Sequence, residues 1–216
     1  MNAHAPIIEF VAEPAVSLRN EPVQARSTAR LTALLDAAAS VVDEFGIERL
    51  TTAMVAERAG ASIGTVYRYF PDRIVLLQAL GARNFERVMA RIIEAINDPS
   101  QPDWRAALAT AFSSVVDTYR TEPGFRGLRV GDQLDLRPLP NGRTYKSLVA
   151  ERIVEALSSR FGVENSAATR FTLEVALEMS DALVARAFLA NPQGDEEFIS
   201  VSTSAVRKFV AETIGW

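Results

Sequence analysis

One glycine, set between two short capped apolar segments, constrains this chain more than any other feature. The stretch LTTAMVAERAGASIGTVYRYFPDRIVL, Leu50–Leu76, reads as two short helices around a tight turn, followed by the start of a third. Thr51 or Thr52 supplies a hydroxyl to cap the first helix, because that oxygen accepts from an otherwise unpaired N–H. The helix runs to about Ala59. Gly60 stops it, since a residue without Cβ enters the left-handed region cheaply. Ser62 caps the next helix, which carries Ile63, Val66, Tyr67 and Phe70. Pro71 ends that helix and Asp72 caps another. Two helices around a three- or four-residue turn containing glycine are the outline of a helix-turn-helix. Ala56 is small where the helices must cross, and Val66 returns an apolar side chain to the same core.

A helix that enters a DNA groove presents polar side chains outward while its other face packs inward. Val66 and Phe70, four apart, face inward. Thr65, Arg68 and Tyr69 fall largely on other faces. Thr65 suits a base edge or a thymine methyl, and Arg68 suits guanine or a phosphate. Tyr67 and Tyr69 carry hydroxyls suited to phosphate oxygens, or are half-buried packing residues. Gly64 lets the helix start approach another backbone closely. Ile63 either touches a thymine methyl or extends the core.

Thr51, Val55-Ala56, Ala59-Gly60, Ser62, Gly64-Thr65-Val66-Tyr67, Tyr69-Phe70 and Leu76-Leu77 together resemble the DNA-binding domain of the tetracycline-repressor (TetR) family. The resemblance covers roughly Arg30–Leu80. It implies phosphate contacts from Thr51 or Thr52, Tyr67, Tyr69 and Arg73, and base contacts from Ser62, Ile63, Thr65 and Arg68. Ile63 departs from the polar or basic residue usual at its position. The resemblance also implies a larger C-terminal helical domain that dimerises and often binds a small molecule. The implied function is a transcriptional regulator, a repressor released from a palindromic operator by an inducer. The alternative is a helical ligand-binding module that recognises no operator.

Helical periodicity extends through the rest of the 216 residues. Leu31, Leu34, Leu35, Ala38, Val41, Val42 and Phe45 recur at three and four, predicting an amphipathic helix over 27–45. A long helix is expected from Asp72 to about Asn97. Further helices are expected near 103–120, 144–161, 166–190 and 195–214. No segment alternates with period two, so the fold class is all-α. The expected organisation is a flexible arm over 1–25, the helix-turn-helix domain over 26–72, and a helical ligand-binding and dimerisation domain over 73–216. The arm carries Arg19, which either helps it touch DNA or sits in an inert tail. The turn-rich stretch Thr121–Arg143 is a lid or a plain connection, with room for a short helix around Phe125–Gly131. The last two long helices are the expected dimer face.

Trp104, Phe112, Tyr119, Phe125 and Tyr145 are candidate pocket walls, since ligand pockets are largely apolar and aromatic; ordinary core is the competing reading. Arg170, Glu174, Glu178 and Asp181 share one helix face. Glu178 is the candidate carboxylate for a cationic ligand, and the competing reading is a solvated stripe with an Arg170–Glu174 pair. The chain has no cysteine, and its one histidine is His4. Disulfides and Cys-based zinc sites or nucleophiles are therefore excluded, and a Ser-His-Asp triad or a His-rich metal site is hard to build. No catalytic residue, metal or cofactor is expected, and the chain is read as no enzyme. No apolar run approaches the roughly 20 residues that span a bilayer, so the reading is a cytoplasmic protein without a membrane partner. The net charge of −4 is unevenly placed. Residues 26–91 hold nine Arg against seven Asp and Glu, leaving −6 for the remainder, which suits a protein touching phosphate with one end.

Overall fold

Every buried apolar stripe read from the sequence finds a helix to lie on. The computed structural model describes residues 21–128 and 143–214, and the described residues contain eight α-helices, one 3-10 turn and no strand. The helices are α1 (Glu21–Phe45), α2 (Thr52–Arg58), α3 (Ile63–Tyr69), α4 (Arg73–Asn97), α5 (Trp104–Thr121), α6 (Tyr145–Phe161), α7 (Ala167–Ala187) and α8 (Glu196–Ile214). The expected arm, Arg19 included, lies outside the described residues up to residue 20. Helix α1 begins six residues before the expected start. Pro22 stands in its first turn, where a missing N–H is harmless and the fixed φ already suits a helix.

The chain divides into two units. The first comprises the described residues up to Glu86 together with 123–128. Its core is built from Leu34, Leu35, Ala38, Val41 and Val42 of α1, Leu50, Val55 and Ala56 around α2, Val66 and Phe70 around α3, and Leu76, Leu77 and Leu80 of α4. Leu128 completes this core from far along the chain. Where the sequence leaves room for a short helix around Phe125–Gly131, the described part of that stretch forms turns over 123–127. Gly124 has φ +72, and an added Cβ would stand 2.7 Å from the Ala39 carbonyl oxygen. The turn therefore lies directly on the α1 backbone. Asp43 of α1 fastens it, accepting from Gly124 N at 3.3 Å and from Arg126 at 3.0 Å. Residues 129–142, the rest of the expected lid or connection, lie outside the described residues.

The second unit comprises α4 from Arg87 onward, α5, and α6 to α8. Helix α7 packs against both α6 and α8, and α5 packs against α8. Leu173, Ala176, Val184 and Ala187 of α7 are buried, with Val149, Ala150, Ile153, Val154 and Leu157 of α6. At the end of α5, Glu122 accepts from Arg87 at 3.0 Å and Arg91 at 2.5 Å, joining α5 to α4. The Arg170–Glu174 pair does not form. Arg170 donates from Nε and Nη2 to Asn165 Oδ1 at 2.9 and 2.6 Å, a fork satisfied within its own helix start. Glu174 accepts instead from Thr144 at 3.1 Å.

Candidate nucleic-acid interface

The turn between α2 and α3 follows from its residues. Thr51 Oγ1 accepts from Met54 N at 3.2 Å and caps α2. Ala61 N donates to Ala56 O and Gly60 N to Glu57 O, the paired closing bonds of a helix that ends on a left-handed residue. Gly60 supplies that residue, with φ +59. Ser62 Oγ then accepts from Thr65 N at 3.1 Å and caps α3. Asp72 accepts from Val75 N at 2.8 Å and starts α4 at Arg73, two residues past Pro71. Three caps in 22 residues fix where each short helix begins, each worth about 1 kcal/mol.

Packing then decides which side of α3 stays outside. Val66 and Phe70 are fully buried, and the expectation of an inward face over these two holds. Ser62, Ile63, Gly64, Tyr67 and Arg68 are exposed, and Thr65 and Tyr69 are half-buried. Ile63 is 46% exposed, so of its two readings the core one is removed. The hydroxyls on this face support one another. Ser62 and Thr65 oxygens lie 3.0 Å apart, Thr52 donates to Tyr67 at 3.4 Å, and Ser27 meets Tyr69 at 3.3 Å. The Arg68 guanidinium lies 5.5 Å from the Tyr69 ring centre, a stacking distance that orients the fork without occupying its donors.

Arg73 is placed differently from the other cations. It is half-buried and donates from Nη2 to the Ile47 carbonyl at 2.6 Å, tying α4 to the 3-10 turn Ile47–Arg49. This tie gave no signal in the sequence, because a carbonyl acceptor belongs to the backbone and not to a residue type. Arg58, similarly, reaches Ser40 and Glu44 of α1.

The candidate ligand residues are scattered. Trp104 lines a half-open groove of about 360 Å³ in the second unit, with Phe161, Glu164, Ser166, Thr169 and Thr213, and most of its lining is polar. Of the expected walls, Trp104 alone lines it. Phe112 is half-buried on α5, and Tyr119 is buried, stacked on Phe188 with ring centres 5.1 Å apart. Phe125 is buried in the first unit, and Tyr145 is half-buried at the start of α6. Glu178 is exposed, but its carboxylate accepts from Lys146 at 2.6 Å, and Asp181 accepts from the same ammonium at 3.0 Å. Burial pulls that ammonium down, and the two carboxylates more than offset it, so Lys146 titrates above an ordinary lysine. Lys146, on another helix, was invisible to a reading of one helix face. Among the described residues no group of three or more His, Cys, Asp or Glu could hold a metal ion. Among the same residues no helix is long and apolar enough to cross a membrane.

A capped pair of short helices on a closed apolar core, with the second helix bare of protein on one side, defines a helix-turn-helix regulatory protein. Two sequence profiles match the chain. One, described as bacterial regulatory proteins of the tetR family, covers residues 34–80; the other, the tetracyclin repressor-like C-terminal domain, covers residues 102–211. The chain belongs to the TetR family. It is 35% identical to a TetR-family transcriptional regulator from Streptomyces coelicolor of known structure, over 85% of this chain and 99% of that one, with a TM-score of 0.71. It is 43% identical over 58 residues to the HTH-type transcriptional repressor KstR of Rhodococcus jostii, 27% of each protein. It is 29% identical over 126 residues to the nucleoid occlusion factor SlmA of Haemophilus ducreyi, 57% of this chain and 59% of that protein. The chain thus spans about a quarter of the length of the first curated relatives it matches.

Proposed function

We propose that the chain is a cytoplasmic transcriptional repressor, not an enzyme, that binds a palindromic operator as a homodimer and leaves it when a small molecule binds the second unit. The observation that carries this reading is the outward side of α3, where Gly64, Tyr67 and Arg68 stand exposed behind a serine cap while Val66 and Phe70 close the core. Arg68 reads guanine or a neighbouring phosphate, Thr65 meets a base edge, and Thr52, Tyr67 and Tyr69 supply hydroxyls to phosphate oxygens. Arg73 acts one step back, holding the 3-10 turn against α4. One head makes few contacts, whereas two heads roughly 34–36 Å apart read both halves of a palindrome. Exposed Phe171 on α7 and Val201 on α8 support a second copy of this chain as the partner of that face.

The inducer part of the reading starts from the half-open groove beside Trp104, whose lining, with Glu164, Ser166, Thr169 and Thr213, is more polar than the apolar enclosed pocket usual for small molecules and suits a polar ligand. An inducer that lowers operator affinity must itself bind more weakly to the operator complex by the same factor.

The test is binding of the full chain to a duplex selected from a random-sequence pool, measured against salt. Affinity should fall steeply as salt rises. Changing Arg68 to Ala should cost about 1–3 kcal/mol of operator affinity. A combined Thr65, Tyr67 and Arg68 to Ala variant that keeps its fold and its full operator affinity would overturn the assignment.

A further inference from the structure

Two neighbouring residues of α3 have no explanation inside the chain. Ile63 is a branched aliphatic side chain left 46% exposed, outside the apolar core of the first unit. Gly64 lies within the helix, where glycine is less favourable than alanine. Its backbone is not left-handed, and an added Cβ would meet only Ser62 Oγ, at 3.9 Å. Nothing in the fold requires glycine there. Tyr67, one turn on from Ile63 and 49% exposed, stands on the same side. The polar neighbours are already engaged: Ser62 Oγ accepts from Thr65 N and meets the Thr65 hydroxyl. The exposed arginine Arg68 is satisfied by water, so the group on this helix that water leaves unsatisfied is the apolar Ile63.

The two features complement each other. A missing side chain at 64 lets the helix backbone come close to a surface, and Ile63 beside it needs an apolar partner on that surface. On the base edges of the major groove that partner is the thymine C5 methyl, the apolar group among donors and acceptors. Resting on the DNA-binding reading above, we propose that Ile63 is a specificity-determining residue that recognises thymine. Its side chain packs on the C5 methyl of one thymine in each operator half-site, and Gly64 permits the approach.

Deoxyuridine pairs as thymidine does but lacks the methyl group, so it tests this contact without disturbing the duplex. The probe is the duplex selected from a random pool by the full-length chain, resynthesised with deoxyuridine at one thymine position at a time. At one position in each half-site the replacement should weaken binding about fourfold, and about fifteenfold when both halves are replaced, the scale expected for one buried methyl each. Ile63→Ala should bind the thymine and uracil duplexes equally, and Ile63→Val should retain part of the difference. Both variants should keep the wild-type melting temperature, because Ile63 lies outside the core, and should keep salt-dependent binding to random DNA. Steep salt-dependent binding by the wild type with indifference to uracil at every position would overturn the proposal and leave the DNA-binding reading standing. So would a uracil effect of undiminished size in Ile63→Ala. Absence of any salt-dependent binding would overturn both.

Discussion

Gly64 and Gly124 are opposite cases of the same residue. Gly124 sits at φ +72 with its α-carbon against Ala39, so a Cβ would meet the backbone of α1 at 2.7–2.9 Å. Gly124→Ala combines left-handed strain with a backbone overlap and should destabilise the first unit by about 2–4 kcal/mol. Gly64→Ala, with room around it, should stabilise the free protein by about 0.5–1 kcal/mol while weakening operator binding. Urea midpoints for the pair, with operator affinity for the second, check both signs. Glu86 offers a test by pH. Burial raises its pKa, so the ionised carboxyl is the disfavoured form in the folded chain. A raised carboxylate pKa means that stability is gained as pH falls through it and is withheld at neutral pH. Glu86→Gln, which resembles the protonated acid, should therefore melt no lower than the wild type at pH 7. That advantage should shrink as pH approaches the ordinary carboxylate range. A variant that melts several degrees below the wild type at pH 7 would contradict this account.

At the scale of elements, the helix-turn-helix is held by caps, and a cap can be separated from a contact with DNA. Aspartate caps a helix as well as serine does and favours the positive end of its dipole. Ser62→Asp should keep the bond to Thr65 N and the melting temperature, yet set a negative charge beside the phosphates. Operator affinity should drop by more than about tenfold at low salt and by less at high salt, where charges are screened. An unchanged affinity would show that this end of α3 faces away from DNA. Such elements were legible because their signals are local. Thr51, Gly60, Ser62 and Asp72 each act on backbone within three or four residues, and the ends of α2 to α8 fall within a few residues of those expected. What escaped the sequence depends on partners far away in it. Arg73 reaches Ile47, Lys146 takes the carboxylates of Glu178 and Asp181, and Leu128 joins a core otherwise made by residue 80. Helix periodicity says that a face is apolar or charged, but not which helix meets it. The aromatic residues show the same limit, since Tyr119 stacks on Phe188 and Phe125 belongs to the first unit.

For the whole molecule, the partner of α7 and α8 is the decisive question. Phe171 is 66% exposed, and Val201 on α8 is 51% exposed. Ala187 and Ser202, in contrast, are buried within their own unit and are not available to a partner. A Phe171→Glu, Val201→Glu variant should fold and sediment at one chain mass where the wild type sediments at two. Its operator affinity should fall to that of a single head, because the second half-site is no longer held nearby. A doubly substituted protein that still sediments at two chain masses would locate the interface elsewhere. The return of the chain at 123–128 has a consequence in time. The first unit is closed by Leu128, which is 1% exposed, and by a turn laid on Ala39. A ribosome releases residue 86 long before residue 128. The nascent head must therefore wait, its α1 surface uncovered, until α5 has been made in full. A fragment ending at Glu86 should accordingly exchange its α1 amides faster than the same residues in the full chain. The part of the protein that meets DNA is synthesised first and finished late.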